Sequence, residues 1–160
     1  MISLDFLKNV EAFGGLNNAQ LKLIQDSSSI EEFKLGDRLF MQDEEATHLW
    51  IVKKGQVDLH LEQEDVPADK RQSISFISKA QTFGWSCFAS PHNYRLSGYC
   101  ATQSCEVVKI DKNRLIDMFE KDPVCGYQVM SYLLNVMGTQ FVQYQNEIAK
   151  CIGDHIIHKW

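Results

Sequence analysis

The strongest constraint on the fold is a succession of short strand-like runs, each closed by a turn, that fills the middle of the chain. Residues 32–35, 38–41, 49–52, 57–61, 74–77, 98–101 and 107–110 are rich in aliphatic, β-branched and aromatic side chains. Between them fall turn signals: Gly36-Asp37, Lys54-Gly55, and the stretch from Asp65 to Asp69 with Pro67. Val57, Leu59 and Leu61 alternate with polar neighbours, as a half-buried strand requires. Many short strands at such intervals predict a β-sandwich or barrel. The charged segment 62–72 reads as a solvated hairpin tip.

Helical signals flank the strands. Leu4, Phe6, Leu7, Val10 and Phe13 are spaced for a turn or two of helix, ended by Gly14-Gly15. Asn17 or Asn18 can cap a second helix that carries Leu21 and Ile24 inward. Beyond the strands, Asp111 caps a helix bearing Leu115, Ile116, Met118 and Phe119, which Lys121 ends. Asp122 then caps a long one, with Pro123 at its first position, where the missing N–H costs nothing. Along it Tyr127, Met130, Leu134, Met137, Phe141, Tyr144, Ile148 and Cys151 recur at steps of three and four, the spacing of heptad a and d positions. Val129, Leu133 and Val136 make a second stripe. One stripe can lie on the β-structure, so the other is expected to be the seam of a homodimer.

At 160 residues and 44% hydrophobic the chain is the size of a single domain, 1–160, with one core. Its net charge of −5 comes with no basic run, so DNA is not an expected partner. Five cysteines, odd in number and without a Cys-x-x-Cys pair, predict reduced thiols in a cytoplasmic protein. No basic leader with an apolar core and no apolar run of about 18 residues appears, so neither export nor a membrane is expected. His92, His155 and His158 do not assemble a metal or haem motif, so no metal is expected. No paired-carboxylate or nucleophile motif stands out, so the chain is not expected to be an enzyme. Cys87, on a turn that could stabilise a thiolate, is either a reactive thiol or a small buried residue.

One stretch, residues 83–97, has the makings of a ligand cradle. Phe83 closes an apolar run, Gly84 frees the backbone to turn, and Ser86, Cys87 and Phe88 can form a short helical turn. Arg95 then returns toward the same place, and its fixed fork suits a phosphate. This stretch resembles the phosphate-binding cassette of the cyclic nucleotide-binding domain family, to which the catabolite activator and the regulatory subunits of kinases belong. Phe83-Gly84 matches the cassette's opening and Arg95-Leu96-Ser97 its close. Leu35-Gly36-Asp37, Lys54-Gly55 and Cys105-Glu106-Val107 before a helix extend the likeness over about residues 6–150.

The resemblance implies a mainly β fold, a double-stranded β-helix or jelly-roll-like β-roll over 31–110, with helices over 1–30 and 111–152. It implies no obligate cofactor and a cyclic nucleotide, cyclic AMP or cyclic GMP, as ligand of a regulatory module whose long helix carries the signal. Phe83, Gly84, Trp85, Ser86, Cys87, Arg95, Leu96 and Ser97 would then surround the ligand. Thr139 and Gln140 stand at the level where family members contact the base from the long helix. Two positions depart from the pattern: Trp85 replaces the glutamate that grips the ribose 2′-hydroxyl, and Leu96 replaces a small or hydroxyl residue beside the phosphate. Trp85 either stacks on a planar ligand or packs in the core or a dimer contact. Transcription-factor relatives continue into a DNA-binding domain, whereas this chain stops at Trp160, so output is expected to pass through assembly or a protein partner. The alternative is a degenerate roll that binds no ligand and serves as a structural or interaction dimer.

Overall fold

The computed structural model describes residues 1–62 and 73–157, without the side chains of 151 and 154–157. Most of the charged segment 62–72, and the side chains of Cys151, His155 and His158, lie outside the described residues. Among the described residues eight strands form: β1 (Ser28–Lys34), β2 (Arg38–Phe40), β3 (His48–Lys54), β4 (Val57–His60), β5 (Ser73–Ile77), β6 (Thr82–Phe83), β7 (Ser97–Cys100) and β8 (Ser104–Asp111). They pair as two antiparallel four-stranded sheets, β1-β8-β3-β6 and β2-β7-β4-β5. This is the β-roll implied by the resemblance. Strands adjacent in sequence fall mostly in different sheets, so the chain winds back and forth across one core.

The alternation expected over residues 57–61 holds as far as His60: Val57 and Leu59 are buried while Asp58 and His60 are half-buried on the other face, but the strand ends there and Leu61 is exposed. β8 places Val107, Val108 and Ile110 fully inside, opposite Val52, Ile51 and Leu49 of β3 in turn. Each such side chain contributes about 1.5–3 kcal/mol by leaving water. β6 has only two residues, too few for a period to show in the sequence. β1 starts at Ser28, four residues before the predicted run, where it pairs with Ile110.

Four α-helices flank the roll: α1 (Leu4–Lys8), α2 (Asn18–Asp26), α3 (Lys112–Lys121) and α4 (Pro123–Ile157). The caps fall where side-chain chemistry requires them. Asn17 and Gln20 close a capping box at α2, with Oδ1 of Asn17 accepting from the Gln20 N–H at 3.0 Å. Asp111 accepts from the Arg114 N–H at 3.0 Å, and Asp122 accepts from the Cys125 N–H at 3.1 Å. Gln20 also donates to Asp122 at 2.6 Å. That bond, with the backbone N–H of Cys125, holds the carboxyl below its ordinary pKa.

α4 runs to Ile157, past the predicted end near residue 152; Gly153 lies within it and does not end it. Its buried face carries Cys125, Val129 and Leu133. The opposite face leaves Tyr127, Leu134, Phe141 and Ile148 exposed at 76%, 66%, 61% and 60%. Two members of the predicted seam sit differently: Met137 is half-buried against the turn after β6, and Tyr144 packs on the roll. A straight helix drifts about 20° per heptad relative to a strict seven-residue repeat, and such drift moves border positions toward the roll.

The expectation of reduced thiols throughout fails at one place. Cys100 and Cys105 form a disulfide across the turn between β7 and β8, with Cα atoms 5.9 Å apart. Cys87 and Cys125 are free and buried.

Candidate functional site

An aromatic cluster in the core fixes the backbone on which the site rests. Phe40 stacks on Tyr94 with ring centroids 4.0 Å apart, and Trp50 lies 6.0 Å from Phe83. The Trp50 indole N–H donates to the Tyr94 hydroxyl at 2.9 Å, leaving neither polar group unpaired. Burial raises the Tyr94 hydroxyl above its ordinary pKa, so it stays neutral at pH 7.

Gly84 follows β6 directly and begins a single 3₁₀ turn over Trp85–Phe88. Its φ of 75° is left-handed, and a Cβ built there would lie 2.6 Å from Cδ1 of Trp50. Only glycine lets this backbone sit so close to the aromatic cluster. Ser86 and Cys87 are buried behind the turn. Arg95 comes back along the loop before β7, exposed, with Nη2 donating to the Ser90 carbonyl at 3.2 Å. Turn and arginine therefore face each other across a small gap.

That gap is a pocket between the roll and α4. Gly84, Trp85, Ser86, Arg95 and Leu96 line it from the cassette, Phe40, Leu59 and Tyr94 from the roll, and Gln140 and Tyr144 from α4. Arg95 is the one charged side chain among these lining residues, and no carboxylate is among them. The cavity measures about 20 Å³. That holds roughly one water, which needs about 10–15 Å³, and is far below the ~300–1,000 Å³ of small-molecule sites. Trp85 helps close it: its indole N–H donates to Oε1 of Gln140 at 2.7 Å, joining the turn directly to α4. Gln140 is only 5% exposed. Burial also raises the Tyr144 hydroxyl above its ordinary pKa.

Of the residues singled out in the sequence, Gly84, Trp85, Ser86, Arg95, Leu96 and Gln140 come together here. The other four do not line the pocket. Phe83 belongs to the aromatic core, and the Ser97 hydroxyl accepts from the Gln42 N–H at 2.9 Å behind the site. Thr139 points to solvent with its hydroxyl on the Asn135 carbonyl, because one residue on a helix is a rotation of about 100° from Gln140. Cys87 is fully buried, and burial pushes its thiol up to about 12, so the reactive-thiol reading is withdrawn. Tyr144 was read as a seam residue rather than a pocket residue. Its spacing of four from Gln140, one turn along the same face, was the available signal.

Beside this pocket, on the other side of Trp85, lies an apolar groove of about 370 Å³ bounded by Phe88, Ala89, Tyr127, Met130, Leu134 and Met137. A polar group elsewhere, on the outer face of β4 and β5, brings Asp58, His60 and Ser73 together. The Ser73 hydroxyl donates to Asp58 at 3.1 Å and lies 2.9 Å from Nε2 of His60. Here the carboxylate orients the serine and not the imidazole, the reverse of a nucleophile relay. Among the described residues no three His, Cys, Asp or Glu gather as around a metal ion, and no helix is long and apolar enough to cross a membrane.

No curated protein matches the sequence. Solved structures share the fold. A putative cyclic nucleotide-binding protein from Geobacter metallireducens superposes with a TM-score of 0.74 at 24% identity, over 88% of this chain and 99% of that one. The regulatory subunit of a cAMP-independent protein kinase A from Trypanosoma brucei gives 0.72 at 23%, over 91% of this chain and 50% of that one. The sensor domain of the transcriptional regulator DNR from Pseudomonas aeruginosa gives 0.72 at 14%, over 86% and 89%. The family model of the cyclic nucleotide-binding domain matches residues 30–122, from the third residue of β1 to the cap of α4 and across the whole cassette. The chain therefore belongs to the cyclic nucleotide-binding domain family.

Proposed function

We propose that the chain is a regulatory module that binds a small anionic ligand, a cyclic nucleotide such as cyclic AMP or cyclic GMP, between Gly84–Ser86 and Arg95. It acts by binding, not catalysis, and α4 reads out occupancy. The observation that carries this reading is the convergence of Arg95, the Gly84 turn and Gln140 of α4 on one pocket. A cation facing a turn suits a phosphate, and a helix that closes the same pocket must move when the pocket fills.

The exposed stripe of Tyr127, Leu134, Phe141 and Ile148 supports a homodimer through α4. Ligand affinity and dimer geometry are then coupled by one free energy in both directions. The net charge of −5 leaves DNA an unfavoured direct partner, so output passes through the dimer or a protein bound to it. A thermal-shift screen against cyclic mononucleotides, linear nucleotides and haem tests the reading. A ligand at a hundred times its Kd stabilises by about 2.7 kcal/mol. Stabilisation by a cyclic nucleotide supports the proposal; no shift with any of them at millimolar concentration leaves the roll as an interaction dimer without ligand.

A further inference from the structure

Trp85 is the wall between two very different spaces. On one side is the cassette pocket of about 20 Å³, which its hydrogen bond to Gln140 helps close. On the other is the groove of about 370 Å³, which Trp85 also lines. The groove falls within the ~300–1,000 Å³ range of small-molecule sites, so it has room for a bicyclic ring. We infer that Trp85 is a two-position latch: bonded to Gln140 it keeps the cassette pocket shut, and released it swings its indole into the apolar groove and opens the pocket.

Three features make the side chain, rather than the turn, the moving part. Gly84 is wedged against Trp50, and Ser86 and Cys87 are buried, so the backbone on either side of Trp85 is fixed. Trp85 itself is only half-buried and is held to α4 by one neutral hydrogen bond. Side chains hop between discrete rotamers, and packed surfaces favour one of two arrangements over a continuum. The groove also suits the arriving ring. Met130, Leu134 and Met137 offer apolar contact, and Ser131, which lines the same groove, carries a hydroxyl that can accept from an indole N–H. The occupant of the groove is thus a side chain of the protein itself. That the opened pocket then admits an anion rests on the function proposed above; the latch does not.

The test uses the full chain without ligand, labelled with 5-fluorotryptophan, so that failure of ligand binding and failure of the latch remain separate results. Loss of one signal in Trp85→Phe assigns Trp85, and the buried Trp50 signal reports that the core is folded. In Gln140→Leu the latch predicts a displaced Trp85 resonance whose H₂O/D₂O isotope shift is smaller than in the wild type, because the ring has left a half-exposed site for the groove. Adding Ala89→Phe, which fills the groove, should raise the isotope shift toward that of the free amino acid. If Gln140→Leu perturbs the Trp50 signal, Gln140→Asn serves instead, being too short to reach the indole. A Trp85 resonance that does not move on loss of the acceptor, or one that moves straight to the solvent-exposed value with the groove unfilled, overturns the latch. Calorimetry with cyclic AMP on the same variants then asks the separate question of whether the opened pocket takes a nucleotide.

Discussion

Replacing Gly84 by alanine measures how tightly the cassette is pinned to the core. At φ 75° an alanine occupies the left-handed region, which costs about 1–2 kcal/mol. Its Cβ also meets Trp50 at 2.6 Å and the His48 carbonyl at 3.3 Å. Trp50 cannot yield easily, since its ring is bonded to Tyr94 and packed against Phe40 and Phe83. Such overpacking costs about 1–3 kcal/mol, while the stiffer unfolded chain returns about 0.4–1 kcal/mol. The net loss is about 1–5 kcal/mol, centred near 3, or roughly 2–18 °C in Tm for a chain of this length. Gly36 is the control. Its φ is 83° but nothing lies within 4 Å of a Cβ there, so Gly36→Ala should lose only about 1 kcal/mol. Urea unfolding of both variants separates the conformational from the packing cost, and equal losses at the two sites would refute the close approach of turn and core.

Other outcomes follow from the same geometry. Burial raises the Cys87 thiol to about 12 and Cys125 to about 11, from an unfolded value of 9.0. Below pH 9.0 both states keep these protons; above it only the folded state does, so stability falls as pH rises, up to about pH 11 for Cys125 and about pH 12 for Cys87, by up to about 1.4 kcal/mol per pH unit for Cys87 and less for Cys125. Urea midpoints measured at rising pH should show this decline, and Cys87→Ala should make it shallower, leaving the part due to Cys125. Leu134→Glu and Phe141→Glu should turn a dimer into monomers in sedimentation velocity with little loss of protomer stability, because both residues are exposed in the protomer; a wild type that sediments as a monomer at micromolar concentration removes the dimer. With no carboxylate among the residues lining the pocket, 2′-deoxy and ribo forms of a cyclic nucleotide should bind within a few-fold of each other by calorimetry.

How much of this was legible depends on the range of the interaction. Signals carried by neighbours in sequence could be read: the alternation of Val57 and Leu59, the caps Asn17, Asp111 and Asp122, and the apolar stripe of Val129 and Leu133 on α4. Gly84 and Arg95 were legible through the resemblance of residues 83–97 to the family's cassette, since a turn glycine and a lone arginine are common on their own. What stayed hidden joins distant residues. The bond from Trp85 to Gln140 spans 55 positions, and no spacing rule connects an indole on a turn to an amide on a helix. The Cys100–Cys105 disulfide is local, yet its pairing depends on how β7 and β8 bring two Cα atoms to 5.9 Å, which cysteine counting cannot supply. The inward facing of Tyr144 depends on the rotational phase of α4 against the roll, to which a heptad count is blind.

The proposed function depends most on Arg95 as the anchor of an anionic ligand at the turn begun by Gly84. The most direct measurement is isothermal titration of the wild type and Arg95→Ala with cyclic AMP and cyclic GMP at fixed salt. Charge-assisted hydrogen bonds contribute about 1.5–3 kcal/mol, so the variant should bind at least about tenfold more weakly while keeping the wild-type Tm, since the guanidinium is exposed and bonds only the Ser90 carbonyl among the described residues. An affinity for either nucleotide that is the same in both proteins would contradict it.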